Sequence, residues 1–158
     1  MDSLSILPLL PGDVPALAPI LRAAFDDDTR MHTELEHDGP CGYDDGSMLL
    51  RMLDRPELIC RKVLLNGQPA GGFVVRPQQC RCTLELLFVD PALKNRGLGF
   101  EIWQQIEQSF PQARQWLVET PDYSTRNHHF YTKKCGFSFV KTVDYPNGGR
   151  SFLFCKSR

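Results

Sequence analysis

CTLELLFVDPALKNRGLGFEIWQQIEQSF, residues 82–110, decides how this chain folds. It opens with eight residues, Cys82 to Val89, that are apolar except for Thr83 and Glu85. That length and richness predict a strand covered on both faces. Asp90-Pro91 ends it, because proline cannot extend a ladder and marks a turn. Lys94-Asn95-Arg96-Gly97-Leu98-Gly99 follows, and a helix begins there. Leu98, Ile102, Trp103, Ile106 and Phe110 recur at helical spacing and form one apolar stripe. The unit is strand, basic glycine-bearing turn, helix.

Such a turn suits a phosphate. A helix start leaves four N–H groups unpaired and carries partial positive charge. Glycines let the backbone come close to an anion, and Lys94 and Arg96 add charge. The spacing is neither G-x-x-x-x-G-K-[ST] nor G-x-G-x-x-G. It resembles the acetyl-CoA signature [QR]-x-x-G-x-[GA] of the GNAT superfamily of N-acetyltransferases, with Val89-Asp90-Pro91 similar to that family's approach to the loop. Lys94 stands where Gln or Arg is usual, which keeps a donor but loses the guanidinium fork. Further on, Phe130-Tyr131-Thr132-Lys133-Lys134-Cys135-Gly136-Phe137 resembles the family's F-Y-x-K-x-G-F. The resemblance covers residues 57–155 well, and the first 55 or so in general layout.

At 158 residues the chain is expected to be a single domain, 1–158, with enough bulk for a sizeable core. A hydrophobic content of 42% and a charged content of 23% fit a soluble globular protein. A net charge of −1 argues against nucleic acid. The opening MDSLSILPLLPGD does not read as a signal peptide, and no stretch reads as a membrane span. The six cysteines lack zinc-type spacing, so buried free thiols in a reducing cytoplasm are expected.

Ser3–Leu7 reads as a first strand. Asp13 reads as a helix cap, with Leu17, Ile20, Leu21 and Ala24 as the apolar face and Pro19 an irregularity near the start. Residues 26–46 read as a polar, acidic segment without periodicity. From Asp26 to Asp45 it holds eight acids and one base, Arg30. It is either a solvated loop or a wall that attracts a cation. His32, Glu34, Glu36 and His37 there fit no familiar metal spacing. Ser47–Leu53 reads as a short helix. Residues 58–65 and 68–75 read as a hairpin around Asn66-Gly67, with Gly71-Gly72 a bulge or close contact. Short strands follow at Trp116–Glu119, Phe137–Thr142 and Ser151–Cys155. A helix capped by Ser124 is expected to run to about Lys134 and stop at Gly136. The order βααβββαβαββ matches the GNAT fold, an α/β (α+β) arrangement whose mixed, mainly antiparallel sheet has helices on both faces.

The resemblance implies an acetyl-CoA-dependent N-acetyltransferase with no metal. Its acceptor would be a primary amine, and the acidic segment favours a cationic small molecule. Transfer to a protein N-terminus or lysine, or a non-catalytic acyl-CoA-binding module, are the alternatives. No nucleic-acid or membrane partner is expected, and a homodimer is allowed. The cosubstrate would be held by Lys94, Asn95, Arg96, Gly97, Leu98, Gly99 and Phe100, and by the backbone of Leu87, Phe88 and Val89. Ser124 stands where the family often has a cofactor-contacting Asn, and Asn127, one helical turn from Tyr131, is the alternative contact. Tyr131 is the candidate proton donor to the leaving thiolate, because a phenol is a suitable acid for it. Glu85 and Glu119 compete as base, with a salt bridge to Arg the plain reading of each and water a third route. Cys135 is rejected as a nucleophile because it sits at a helix C-terminus.

Overall fold

The computed structural model describes residues 2–158. Seven strands form one sheet in the order β1-β2-β3-β4-β5-β7-β6. They are β1 Leu4–Pro8, β2 Ile59–Leu65, β3 Gln68–Gln78, β4 Arg81–Val89, β5 Gln115–Pro121, β6 Ser138–Asp144 and β7 Arg150–Ser157. The helices are α1 Val14–His32, α2 Ser47–Leu53, α3 Leu98–Ser109 and α4 Thr125–His129, the last continued by a π-turn over Phe130–Lys134. The element order is the expected one, and every strand pair is antiparallel except β4 with β5.

The sheet is covered differently on its two faces. One core joins β3, β4 and β5 to α3 and the π-turn through Phe73, Leu84, Trp103, Trp116, Tyr131 and Phe137. Trp103 meets Trp116 and Phe137 edge-on at 5.1 Å, a geometry worth roughly 0.5–1.5 kcal/mol per pair beyond burial. The other core packs α1 and α2 on the sheet through Leu17, Leu21, Leu49, Val74, Leu86 and Phe88.

A β-bulge lets β4 serve both cores. Val74 pairs with Leu86 and Val75 with Leu84, so Glu85 is an extra residue in β4. Before it, Cys82 and Leu84 face α3; after it, Leu86 and Phe88 face α1. This is how one apolar run is buried on both faces.

The hairpin turns on Asn66 and Gly67 with φ of 53° and 81°, the positive pair that Asn-Gly predicts. Gly71 lies against the carbonyl of Phe88, and any Cβ there would collide with it.

Four local expectations are corrected. First, α1 continues through Asp26–His32, so the first seven residues of the acidic segment are helical. Asp26, Asp28 and Thr29 are buried there with partners, which composition alone does not reveal. Second, Asp13 precedes α1 without capping it; its carboxylate accepts from Leu10 N–H and from Lys62, both at 2.8 Å. Third, Ser124 holds the N-cap position of α4 without a capping bond, because its hydroxyl donates to Asp28 at 2.6 Å. Fourth, of the six free cysteines only Cys60, Cys82 and Cys135 are buried.

Gly71→Ala should cost about 1–3 kcal/mol, the usual cost of forcing extra volume into packed structure. An unchanged denaturant midpoint would show that β3 and β4 can separate freely at this point.

Candidate active site

The parallel pairing of β4 and β5 runs only from Arg81–Gln115 to Leu84–Val118. Beyond the Glu85 bulge, β4 keeps β3 on one side and, among the described residues, has no strand on the other. Residues 85–89 therefore present backbone N–H and C=O groups to an open wedge. The wedge leads into a cleft of about 400 Å³. Its floor is Leu87, Phe88 and Val89, its walls the 94–100 turn, the C-terminal half of α1, and α4 with its π-turn.

The turn is shaped for an anion. Asn95 and Gly97 have φ of 67° and 74°, and Gly97 immediately precedes α3. These conformations bring the first N–H groups of α3 to the cleft wall. Gly99 serves close packing, since a Cβ there would lie 3.3 Å from the Phe130 ring. Lys94, Asn95, Arg96, Gly97, Leu98, Gly99 and Phe100 all line the cleft, as does Asn127; Ser124 does not. The residues present thus fit a phosphate-bearing cosubstrate with an extended arm.

Tyr131 lines the same cleft while 7% exposed. The π-turn, closed by Cys135 N–H to Phe130 C=O at 3.1 Å, sets its ring between Phe130 and Phe137. Burial pushes its phenol well above the ordinary value of 10.0, with the Cys135 thiol adding to the rise. The phenol keeps its proton at any ordinary pH and remains a donor. Burial likewise pushes the Cys135 thiol up to about 12, which leaves it inert as a nucleophile.

The two glutamates lie elsewhere. Glu85 pairs with Arg76 at 2.9 Å and does not line the cleft. Glu119 is exposed on β5, where it accepts a 2.6 Å hydrogen bond from the Tyr145 hydroxyl. That bond is the main cause of a Tyr145 phenol raised to about 12.

Sequence reasoning missed the acids that do reach the cleft, Asp27 and Asp28 of α1, and the cation Arg126 of α4. Asp27 contacts Lys94 at 3.3 Å and Arg126 at 3.2 Å. Asp28 accepts from Ser124 and lies 3.6 Å from His32. Their neighbour Asp26 accepts from the Tyr43 hydroxyl at 2.7 Å and lies 3.0 Å from His37. A signal was available in Asp26-Asp27-Asp28 continuing the α1 frame beyond Ala24. Among the described residues no cluster of three or more His, Cys, Asp or Glu forms a metal site, and no helix is long and apolar enough to cross a membrane.

The profile of the acetyltransferase (GNAT) family matches residues 20–137, and the chain belongs to that family. A Bacillus subtilis (strain 168) relative, the uncharacterized protein YrkN, is 33% identical over 106 residues, 66% of this chain and 56% of that protein. The match thus spans little more than half of that relative's length. Solved structures share the fold along nearly the whole chain. An acetyltransferase from Thermus thermophilus aligns with a TM-score of 0.78 at 20% identity, covering 99% of this chain and 97% of that one. The PaiA N-acetyltransferase of Thermoplasma acidophilum, solved in complex with coenzyme A, aligns at 0.75 and 14% identity, covering 99% of both chains. The ribosomal-protein-S18-alanine N-acetyltransferase of Escherichia coli aligns at 0.73 and 16% identity, covering 99% of this chain and 94% of that one.

The Asp26 cluster has a pH signature. Burial alone would raise this carboxyl, but hydrogen bonds from Tyr43 and His37, with the charges of His37 and Arg22, hold it below its ordinary 3.8. A depressed carboxyl stabilises the fold above its unfolded pKa, and that stability is lost as pH falls through the folded value. Asp26→Asn should therefore be less stable than the parent at pH 7, with the gap closing below about pH 4. Denaturant titrations at both pH values check this; a gap that is constant with pH would mean the carboxylate charge is not what matters.

Proposed function

We propose that the chain, acting as one domain over 1–158, is an acetyl-CoA-dependent N-acetyltransferase that acts by direct transfer to a primary amine. The preferred acceptor is a cationic small molecule, drawn by the acid-rich 26–46 segment. One observation carries the reading: the unpaired edge of β4, the anion-shaped turn at Gly97 and the protonated Tyr131 meet in one cleft.

When bound, acetyl-CoA supplies an acetyl group activated as a thioester. Lys94 and the N–H groups around Gly97–Phe100 hold its phosphates. The free backbone of Leu87, Phe88 and Val89 pairs with its pantetheine arm, and Asn127 contacts the same arm. Tyr131 donates its proton to the sulfur as it departs. The amine must lose a proton first. Glu85 is tied to Arg76 and Glu119 to Tyr145, and neither lines the cleft. In this reading a water relays that proton, with the glutamates as distant acceptors.

Two variants separate holding from chemistry. Gly97→Asp places a carboxylate and a side chain at φ 74° where the phosphates belong. Calorimetry should show CoA binding lost, with circular dichroism unchanged. Unaltered CoA binding in a folded Gly97→Asp protein would remove the central claim.

Tyr131→Phe keeps the packed ring and removes one O–H. Its benefit arises only as the C–S bond breaks, so it belongs to kcat rather than to cosubstrate affinity. Thiol release across a panel of amines should fall by about 10²–10⁴-fold in kcat while KM for acetyl-CoA holds. Near-normal kcat would make Tyr131 a packing residue with water as the acid. A parent protein that binds CoA yet turns over no amine, protein N-terminus or lysine would be a non-catalytic acyl-CoA-binding module.

A further inference from the structure

Of the four Lys and Arg residues that line the cleft, Lys94, Arg96, Arg126 and Lys134, two are held by one carboxylate. Lys94 opens the 94–100 turn just after the Pro91–Leu93 turn that follows β4, and Arg126 lies on α4. Asp27 of α1 stands between them, one carboxylate oxygen 3.3 Å from Lys94 Nζ and the other 3.2 Å from an Arg126 guanidinium nitrogen. The exposures are unequal: 17% for the Asp27 side chain, 48% for Lys94 and 40% for Arg126. Asp27 is thus the fixed member, set on a nineteen-residue helix, and the two flexible cations remain reachable from the cleft.

We propose that Asp27 is a built-in stand-in for phosphate. It gathers Lys94 and Arg126 in the ligand-free protein, and a phosphate group of CoA takes the cations from it. The inference rests on reading the cleft as the CoA site, and it adds Arg126 to the residues that bind the cosubstrate. A phosphate group offers more acceptor oxygens and up to twice the charge of a carboxylate, so it wins the exchange. Half-exposed ion pairs are weak, so the exchange is easily made. Without Asp27, Lys94 and Arg126 would stand side by side as uncompensated cations. With it, the cations stay gathered at the cost of some affinity for phosphate.

The sign of one substitution decides the matter. If Asp27 competes with the ligand, Asp27→Asn should tighten binding of CoA, and of inorganic pyrophosphate, by about two- to fivefold, the range of a half-exposed ion pair. Binding should also become more sensitive to salt, because one more net positive charge meets the anion. The gain should disappear in the Asp27→Asn/Arg126→Ala double variant, as expected when two residues share one interaction. Calorimetry at two ionic strengths reads all three. Weaker binding in Asp27→Asn would overturn the proposal and make Asp27 a brace that positions the cations. Equal binding, or a gain that survives loss of Arg126, would overturn it as well. Pyrophosphate keeps the two readings apart. A protein that binds pyrophosphate but not CoA refutes the cosubstrate reading while Asp27→Asn still tests the exchange; one that binds neither refutes both.

Discussion

The whole site depends on where β4 and β5 stop pairing. After four matched residues the two parallel strands part, and the bulge at Glu85 sits just past the last match. Each holds its other neighbour, β3 for β4 and β7 for β5, so neither can collapse across the gap. The result is an edge inside a sheet, with backbone donors and acceptors that a buried position would not leave unpaired. An extended ligand with amides of its own satisfies such an edge as a strand would. The bulge adds a second consequence. By switching the faces of β4 it sends Leu86 and Phe88 toward α1, so that helix seals the cleft from the side opposite α3.

Helix α1 then distributes three consecutive carboxylates. Residues in a helix turn about 100° from one to the next, so Asp26, Asp27 and Asp28 cannot share a partner. Asp26 meets Tyr43 and His37 of the loop beyond, Asp27 meets Lys94 and Arg126, and Asp28 meets Ser124 at the head of α4. Less than one turn of helix thereby ties the acidic loop, the phosphate turn and α4 together. Acids near a helix C-terminus oppose the dipole by a few tenths of a kcal/mol each. Their hydrogen bonds and ion pairs offset that, which is why the helix continues where composition suggests a loop.

The elements that follow from local chemistry were legible in the sequence. Asn66-Gly67 demands its hairpin, Gly97 and Gly99 mark the turn, and the stripe of Ile102, Trp103 and Ile106 is the face that α3 lays on one core. The chain order followed from these. What was not legible depends on side-chain partners distant in sequence. Ser124 looks like a cap until Asp28, 96 residues earlier, claims its hydroxyl. Glu85 looks like a buried, unpaired acid only while its strand is taken as regular; the bulge and Arg76 change its surroundings. Asp27, Asp28 and Arg126 gave no local sign of their partners, because a charged residue on a helix most often faces water.

The placement of Tyr131 brings these constraints together. Its ring is buried, which raises the phenol above its ordinary value, yet the side chain still borders the cleft. A regular helix from Thr125 onward would carry the chain through Phe130–Lys134 at a constant 100° or so per residue. The π-turn widens that arc by one residue per turn, a distortion that recurs at functional sites. It lets Phe130 reach Gly99 at the head of α3 while the adjacent Tyr131 packs on Phe137 and still borders the cleft. The missing Cβ at Gly99 is part of the same arrangement, since the Phe130 ring fills the space beside it. The glycine turn and the tyrosine, far apart in sequence, are therefore one mechanical unit. A change that pushes α3 away from Phe130 would move Tyr131 as well as the glycine turn.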